Sequence, residues 1–261
     1  MHLAEQTPAR GRVTLVGAGP GDPELLTLKA IRAIRAASVL LVDDLVGDGV
    51  LRYARRSARI VQVGKRGGRV STSQVFIERL MVAEALRGET VVRLKGGDPM
   101  LFGRGGEEVE HLRAHGIEVE VVNGITSGLA AATAIGVPLT HRTHAHGVIL
   151  VTGHARDGAP GPDWAALGAA ASLGLTLVIY MGVASAATIQ HGLAQGLGGE
   201  TPVALIQDAS RPAQRDWRTT LAQLAATVQN EGIRSPAIIV VGDVARAAEA
   251  IEMPAAHQAI G

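Results

Sequence analysis

The sequence predicts an α/β protein made of two successive series of alternating strands and helices. Three observations support this: short β-branched runs recur, longer segments with helical spacing separate them, and glycine-rich turns connect them. A chain of 261 residues has room for one large domain or two smaller ones. We expect an N-terminal α/β domain over residues 12–125 with a mostly parallel sheet, a C-terminal α/β domain over 126–248, and tails at 1–11 and 249–261.

The front half alternates β-branched runs with longer helical segments. The expected strands are Val13–Val16, Val39–Val42, Ile60–Val63, Thr90–Leu94 and Ile117–Val122. The expected helices are Gln74–Arg87, Gly106–His115 and one that begins at Asp22-Pro23, where Asp22 is a candidate N-cap. This order favours a parallel sheet with helices on both faces.

The back half begins with a small-residue helix, Thr126–Gly136, followed by Pro138 and the loop HRTHAHG, which we expect to be a hinge between the domains. The expected strands are Val148–Thr152, Thr176–Tyr180, Val203–Gln207 and Ala237–Val241. The expected helices are a segment near Trp164–Ala170, Ala184–Leu193 and Thr219–Gln229. Two such α/β lobes would leave a cleft between them, which is a common place for a ligand.

The composition excludes several functional classes. Lys and Arg total 25 against 24 Asp and Glu, a formal net charge of +1, so no global attraction to polyanions is expected. Aromatic residues make up only 2% of the chain, which argues against a base-stacking surface, and we expect no nucleic-acid partner. The absence of Cys excludes disulfides, thiolate metal sites and cysteine nucleophiles.

The segment from Trp164 to Gly199 contains no Asp, Glu, Lys or Arg and has to be compared with a membrane span. It is rich in Ala and Gly rather than in strong hydrophobes, so we expect a helix, a buried strand and a helix there. Its lack of charge is equally compatible with a subunit interface. The first residues lack the apolar region of a signal peptide, and we expect a cytoplasmic protein with no membrane partner.

A first glycine loop, GAGPGD, runs from Gly17 to Asp22 between the first strand and the first helix. Glycines there permit positive φ angles and bring backbone N–H groups close to a ligand. A dinucleotide fingerprint would have a third glycine where Asp22 stands, so this interpretation fits poorly. A tight strand-to-helix turn without a ligand is the structural alternative.

A second glycine loop, RLKGGDPMLFGRGGEE, runs from Arg93 to Glu108 after the fourth strand. Gly96 and Gly97 would let a ligand lie on bare backbone, and Asp98 could accept hydrogen bonds from an amine or a hydroxyl group. The spacing of Arg104, Glu107 and Glu108 predicts that they share one helix face. For Arg104 the alternative is an ordinary surface salt bridge beside a turn.

The histidines of the back half invite comparison with a metal site. His141, His144 and His146 have the spacing H-x-x-H-x-H, which is not typical of zinc sites, and their loop contains no acidic residue. We therefore expect no metal and interpret them as loop histidines. Trp164 and Trp217 are expected to be packing anchors.

Several motifs follow one another in the order of a known family. They are VTLVGAGPGDPELLTLKA, VDDLV, VGKRGG, VVRLKGGDPMLFGRGGEE, GITSGLAAATAIGVPLTHR, VTGH, YMG and SPAIIVVGDV. From about Val13 to Val244 the chain resembles the uroporphyrinogen-III C-methyltransferase family of the tetrapyrrole methylase superfamily. The resemblance implies two α/β domains, a homodimer, and S-adenosylmethionine (SAM) bound in the cleft between the domains. It implies methylation of uroporphyrinogen III at two ring carbons, C2 and C7, which gives precorrin-2 for sirohaem and cobalamin synthesis and S-adenosylhomocysteine as the other product.

The resemblance also implies roles for individual residues. The residues implied to bind SAM are Pro20, Gly96, Gly97, Asp98, Leu101, Thr126, Ser127, Met181 and Ala209. Asp43 and Lys65 match positions proposed as proton acceptor and donor in some members, whereas Arg104 and Glu107 match a pair proposed to handle the substrate and its proton in others. The identity of the catalytic base therefore stays open between these residues.

The implied substrate is a polycarboxylate, so a chain with little net charge has to concentrate its cations locally. The residues expected to bind substrate are Lys65, Arg66, Arg104 and Arg142. Arg55 and Arg56 are instead interpreted as a solvated helix face.

A carboxylate such as Asp43 at a strand end would face the ligand cleft, although an exposed acid or a helix cap is the alternative. Arg104 is a poor base because arginine normally stays charged, so we expect it to steer the substrate, with Glu107 orienting it.

The sequence departs from the family pattern at positions other than the loop glycines. Val42-Asp43-Asp44 replaces a more usual Tyr-Asp-Arg run, Met100 stands where Phe is common, and Asn123 stands where Pro is common. SAM binding is therefore better supported than the substrate. The alternatives are a methylase of a later precorrin, an NAD(P)-dependent oxidoreductase and a non-catalytic tetrapyrrole carrier.

Overall fold

The computed structural model describes residues 11–64, 73–154 and 160–250, with side chains up to residue 246 in the last range. The chain divides into two compact units, Met1–Thr126 and Ser127–Gly261. Each unit contains one five-stranded sheet with helices, which confirms the α/β class. The loop HRTHAHG, which was expected to be a hinge, lies inside the second unit rather than at the division between the two.

The first unit is built on a parallel sheet. Its strands are β1 (Arg12–Gly17), β2 (Val39–Val42), β3 (Arg59–Gln62), β4 (Thr90–Lys95) and β5 (Glu118–Val122). Their order is β3-β2-β4-β1-β5, and every neighbouring pair is parallel, as the alternating sequence pattern predicts. Val16 is paired with both Leu94 and Val122, so the carboxyl ends of β4, β1 and β5 lie side by side.

Helices cover both faces of this sheet. They are α1 (Leu28–Ala36), α2 (Gln74–Leu86) and α3 (Gly105–Ala114). Successive residues of a strand point to opposite faces, so Leu40 packs in one core with Ile34 of α1, whereas Leu41 packs in another with Met81 of α2. Burial on both faces explains why the interior strand β2, VLLV, is a continuous apolar run.

The first helix begins later than the sequence suggested. Asp22 accepts a hydrogen bond from the backbone N–H of Glu24 at 2.8 Å, but it caps only a three-residue 3-10 helix, Pro23–Leu25. The prediction that α1 begins at Asp22-Pro23 is therefore wrong. Thr27 provides the N-cap of α1, since its Oγ1 accepts from the N–H of Ala30 at 3.1 Å.

The second unit has a mixed sheet in the order β6-β7-β10-β8-β9. Its strands are β6 (Gly147–Thr152), β7 (Leu175–Tyr180), β8 (Pro202–Gln207), β9 (Arg215–Thr220) and β10 (Ala237–Val241). Only the β6–β7 pair is parallel among these described strands. Its helices are α4 (Ser127–Ala134), α5 (Trp164–Ala171), α6 (Ala186–Leu193) and α7 (Leu224–Asn230).

Strand β9 is absent from the sequence prediction, which assigned Thr219 to a helix. The strand ends at Thr220, and α7 begins only at Leu224, after a short 3-10 helix. The physical reason is that β9 is an edge strand paired only with β8, so its sequence RDWRTT is mostly polar and lacks the apolar signal of a buried strand.

The uncharged segment from Trp164 to Gly199 forms the expected helix, buried strand and helix. Trp164, Leu177, Ile189 and Leu193 belong to the apolar core of the second unit, which accounts for much of its lack of charge. Among the described residues, no helix is both long and apolar enough to cross a membrane.

The loops that follow β1, β4 and β5 are tied together at the carboxyl edge of the first sheet. Gly19 and Gly97 exchange backbone hydrogen bonds of 3.2 and 2.7 Å. The Asp98 carboxylate accepts from the N–H of Met100 at 2.8 Å and from the N–H of Gly124 at 3.0 Å. These bonds fix the backbone of three loops relative to the strands that carry them.

We predict that Asp98→Ala lowers the free energy of unfolding by about 1.5–3 kcal/mol, because two backbone N–H groups lose a charged acceptor. Urea unfolding at neutral pH measures the effect. Asp216→Ala is the matched control, because Asp216 forms a partly exposed pair with Arg218 at 3.1 Å, for which about 0–1 kcal/mol is expected. Equal losses in the two variants would contradict the assigned role of Asp98.

We also predict that Leu177→Ala destabilises the second unit by about 2–5 kcal/mol, because a fully buried side chain is removed from its core. Leu173→Ala provides the control with the same chemistry, since Leu173 is 77% exposed and a loss of at most about 0.5 kcal/mol is expected. Thermal unfolding followed by circular dichroism compares the two. A similar loss in both would show that the core is assigned wrongly.

Candidate active site

A cavity of about 530 Å³ opens at the carboxyl ends of β2, β3 and β4 in the first unit. Its lining residues are Asp43, Asp44, Leu45, Val63, Gly64, Ser73, Gln74, Ile77, Arg93, Lys95, Phe102, Gly103 and Arg104. Ligands of parallel α/β sheets bind outside the carboxyl ends of the strands, and this volume lies in the range of small-molecule sites. The position and the charged lining make this cavity the candidate active site of the first unit.

Asp43 follows β2 directly and lies on the wall of the cavity. Its side chain is 34% exposed, and its Oδ2 pairs with Nη2 of Arg93 at 3.4 Å. Its Oδ1 accepts from the N–H of Asp44 at 3.0 Å. The structure thus places this candidate base at the cavity rather than on open surface or at a helix N-terminus.

Beneath Asp43 lies a cluster of buried charges that the sequence analysis did not single out. Arg93, Lys95 and Glu108 are between 0% and 3% exposed. Oε1 of Glu108 accepts from Nζ of Lys95 at 3.0 Å and from Nε2 of Gln74 at 3.0 Å, and it pairs with Nε of Arg93 at 3.4 Å. Buried charges are tolerated when they are paired in this way.

A signal for this cluster was present in the sequence. In the otherwise apolar strand β4, Arg93 and Lys95 are two residues apart, and the period of a strand places both on one face. Charges on a strand that is buried on both faces require a partner of opposite sign. The expectation that Glu108 shares a face with Arg104 and Glu107 is wrong, because Glu108 points into the core as that partner.

Burial lowers the pKa of the Lys95 ammonium below its usual value, and the neighbouring positive charge of Arg93 lowers it further. The carboxylate of Glu108 acts in the opposite direction, but the pKa of Lys95 is lowered overall. Lys95 is therefore easier to deprotonate than a solvated lysine.

Arg104 lies at the rim of the cavity, immediately before α3, with a left-handed φ of 57°. It donates hydrogen bonds from Nε and Nη2 to the Glu107 carboxylate, and both side chains are 54% exposed. These bonds raise the pKa of Arg104, so it stays protonated and cannot serve as a base. The predicted Arg104–Glu107 pair is present and partly solvent-exposed, and its Arg104 member also lines the cavity.

Two glycines of the loops, Gly17 and Gly96, allow the chain to pack closely against itself. A Cβ at Gly17 would lie 2.4 Å from the backbone N of Gly124, and one at Gly96 would lie 2.6 Å from Cβ of Leu45. Pro20 is buried beside them. Each carboxylate oxygen of Asp98 accepts one backbone N–H, from Met100 and from Gly124, so the side chain holds the loops together, and its expected bond to a ligand amine or hydroxyl stays a prediction.

In the second unit, two of the expected SAM residues, Met181 and Ala209, lie in segments with left-handed backbone. Met181 follows β7 with a φ of 55° and is 46% exposed. Ala209 follows β8 between Asp208 and Ser210, which have φ angles of 51° and 62°. Strained conformations of this kind in residues other than glycine cluster at ligand-binding segments.

The remaining predicted residues are spread over both units. Leu101 lies in the loop after Asp98, Thr126 is buried at the end of the first unit, and Ser127 begins α4. Arg142 is exposed in the loop before β6. The other expected substrate residues, Lys65 and Arg66, lie outside the described residues, and their roles stay predictions.

The alternatives for the motifs can be compared with the structure. The loop from Gly17 to Asp22 leads into a 3-10 helix, and α1 begins only at Leu28, so the α-helix N-terminus that binds a pyrophosphate is missing from the turn. This argues against a dinucleotide fingerprint. Over the described parts of the chain, no group of three metal-binding side chains converges, and Nδ1 of His141 lies 3.2 Å from the N–H of Thr143.

Comparison with known proteins adds an independent line of support. A family model described as Tetrapyrrole (Corrin/Porphyrin) Methylases matches residues 12–225. The chain is 55% identical to a uroporphyrinogen-III C-methyltransferase of Pseudomonas aeruginosa, over 90% of this chain and 95% of that protein. It is 50% identical to a siroheme synthase of Xylella fastidiosa, but it covers only 50% of that longer enzyme.

Solved structures give the same result. The uroporphyrin-III C-methyl transferase of Thermus thermophilus, complexed with S-adenyl homocysteine, matches 91% of this chain with a TM-score of 0.76 and 44% identity. A cobalt precorrin-4 methyltransferase matches 90% of this chain with a TM-score of 0.79 and 28% identity. From the matched family model and these full-length similarities, we conclude that the chain belongs to the tetrapyrrole (corrin/porphyrin) methylase family.

Proposed function

We propose that the chain catalyses SAM-dependent methylation of uroporphyrinogen III at two ring carbons, C2 and C7, giving precorrin-2 for sirohaem and cobalamin-type synthesis. The observation that carries this proposal is the 55% identity to a uroporphyrinogen-III C-methyltransferase along nearly the full length of both chains. The further activities of the longer siroheme synthases are not part of the proposal, because the chain spans about half of their length.

SAM supplies a methyl group that is electrophilic because it is bound to a sulfonium sulfur. The residues that we propose to bind it are Pro20, Gly96, Gly97, Asp98, Leu101, Thr126, Ser127, Met181 and Ala209. Three features support this: the left-handed turns at Met181 and Ala209, the fixed loops after β1 and β4, and the S-adenyl homocysteine complex of the Thermus relative. Pro20 and Asp98 would act mainly by holding the loop backbone in place, since Pro20 is buried and the Asp98 oxygens are already bonded.

The substrate residues that we propose are Arg104, Arg142, Lys65 and Arg66. Arg104 keeps its positive charge at the cavity rim and presents a planar fork that suits a carboxylate, while Glu107 fixes the orientation of that fork. Asp43 faces the same cavity, held by Arg93. Rate enhancement would come chiefly from holding the reacting carbon and the methyl group close together and aligned.

A methylase of a later precorrin is the main alternative. The fold does not discriminate between these two activities, because the TM-score is 0.79 for the cobalt precorrin-4 methyltransferase and 0.76 for the uroporphyrin enzyme. Sequence identity does favour the uroporphyrinogen enzyme, at 44% against 28%. We also propose that the chain forms a homodimer and is located in the cytoplasm; both points rest on the family resemblance alone. Sedimentation at micromolar concentration tests the homodimer, and cell fractionation tests the location.

The first test incubates the purified chain with SAM and uroporphyrinogen III under anaerobic conditions. We expect mass spectrometry to show a product with two added methyl groups, and calorimetry to show binding of SAM and of S-adenosylhomocysteine. A methylated product only from a later precorrin would support the alternative substrate. Absence of heat with both SAM and S-adenosylhomocysteine would overturn the whole proposal.

The second test concerns the planar guanidinium group of Arg104. We predict that Arg104→Lys lowers kcat/KM about 10–100-fold, because the ammonium group keeps the charge but loses the two-pronged hydrogen bonding to a carboxylate. Steady-state methylation assays measure this loss. Arg113→Lys, on the exposed face of the same helix α3, is the control and is expected to keep normal activity. Normal turnover in Arg104→Lys would reject the proposed role.

A further inference from the structure

Lys95 is a buried lysine with access to the candidate active site. Its side chain is 4% exposed, yet it forms part of the cavity lining. Glu108, which holds its Nζ at 3.0 Å, is fully buried and does not line the cavity. Lys95 therefore contributes to the wall of a space that a substrate can enter, while its amine is bonded to a carboxylate within the protein.

The charges around Lys95 come from several elements of the first unit. Those that face it or share its cavity are Arg93 on β4, Glu108 on α3, Asp43 and Asp44 after β2, and Arg104 before α3. Arg93 and burial disfavour the ammonium form, whereas Glu108 and Asp43 favour it. The net result is a pKa below that of a solvated lysine, so the neutral amine becomes available at lower pH.

The proposed methylation releases a proton that a protein group has to accept. A carbon–carbon bond forms to the pyrrole carbon as the sulfur–methyl bond breaks, and the electron pair of the broken bond stays on sulfur. The positive charge then lies on the macrocycle until it loses a proton, whose bonding electrons remain in the ring system. A neutral amine at the cavity can take this proton and become an ammonium ion.

We propose that Lys95 is this proton acceptor, with Glu108 stabilising the ammonium that forms before the proton passes to water. The inference rests on the proposed function and assigns a residue outside the candidate bases of the sequence analysis. Its support is geometric: Lys95 faces the cavity, its partner carboxylate lies 3.0 Å away within the core, and Arg104, at the rim of the same cavity, stays protonated. Asp43 lines the same cavity, and its carboxylate pairs with the buried Arg93.

Two variants separate a proton acceptor from a purely structural charge. Lys95→Met removes the amine, and Lys95→Arg keeps the positive charge and a donor for Glu108 but cannot accept a proton at neutral pH. We expect both to lower kcat about 100-fold or more while SAM binding changes less than about threefold. In the wild-type chain kcat should rise with pH as Lys95 loses its proton, and this rising limb should vanish in both variants.

Lys29→Met is the matched control, because Lys29 forms an exposed pair with Glu120 on the surface of the same unit. It should keep the wild-type rate and pH profile. Wild-type turnover in Lys95→Arg, or an unchanged pH profile in Lys95→Met, would overturn the inference. Because such results require an active wild-type chain, they leave the proposed function intact; an inactive wild-type chain counts against the proposed function instead.

A second measurement does not depend on folding of the variants at position 95. The chain contains Lys29, Lys65 and Lys95 as its lysines, so carbon-13 labelling of lysine gives an NMR spectrum with few side-chain signals. Replacing Lys29 and Lys65 by Met, one at a time, identifies the signals of these two residues. The remaining signal then belongs to Lys95. We expect the Lys95 signal to titrate at lower pH than that of Lys29. Titration of both in the same pH range would overturn the inference.

Discussion

The first unit depends on one fully buried carboxylate. Glu108 of α3 receives the charged ends of Arg93 and Lys95, and without it the buried Lys95 ammonium would lose its carboxylate partner in the core of a parallel sheet. Through Arg93 the same carboxylate is connected to Asp43, which directly follows the neighbouring strand β2. The cluster thus couples the packing of α3 on the sheet to the position of charged groups at the cavity, so stability and chemistry rest on the same residues.

The backbone around this cluster is fixed by a different means. The loops after β1, β4 and β5 are held by mutual backbone hydrogen bonds and by the Asp98 carboxylate, with glycines where the chains touch. A site made in this way is organised before any ligand arrives, which lowers the ordering cost of binding. In the second unit the corresponding feature is the set of left-handed residues after β7 and β8.

Much of the architecture could be predicted from the sequence, because buried parallel strands and amphipathic helices leave strong periodic signals. Strand β9 was missed since an edge strand with polar residues lacks that signal, and the start of α1 was misplaced because two N-caps, Asp22 and Thr27, stand five residues apart. At the site, motifs pointed to Asp43 and Arg104. The partners of Lys95 could not be read from the sequence, since Glu108 reaches it only through the packing of α3 on β4.

The close approach of Gly17 and Gly124 restricts how this edge of the sheet can diversify. Neither position has room for even a methyl group, because the added carbon would collide with the main chain of the other loop. Variation among relatives that accept different tetrapyrroles is therefore expected at exposed neighbours such as Met100 and Asn123. New substrate preference would then arise by changing side chains on an unchanged main-chain scaffold.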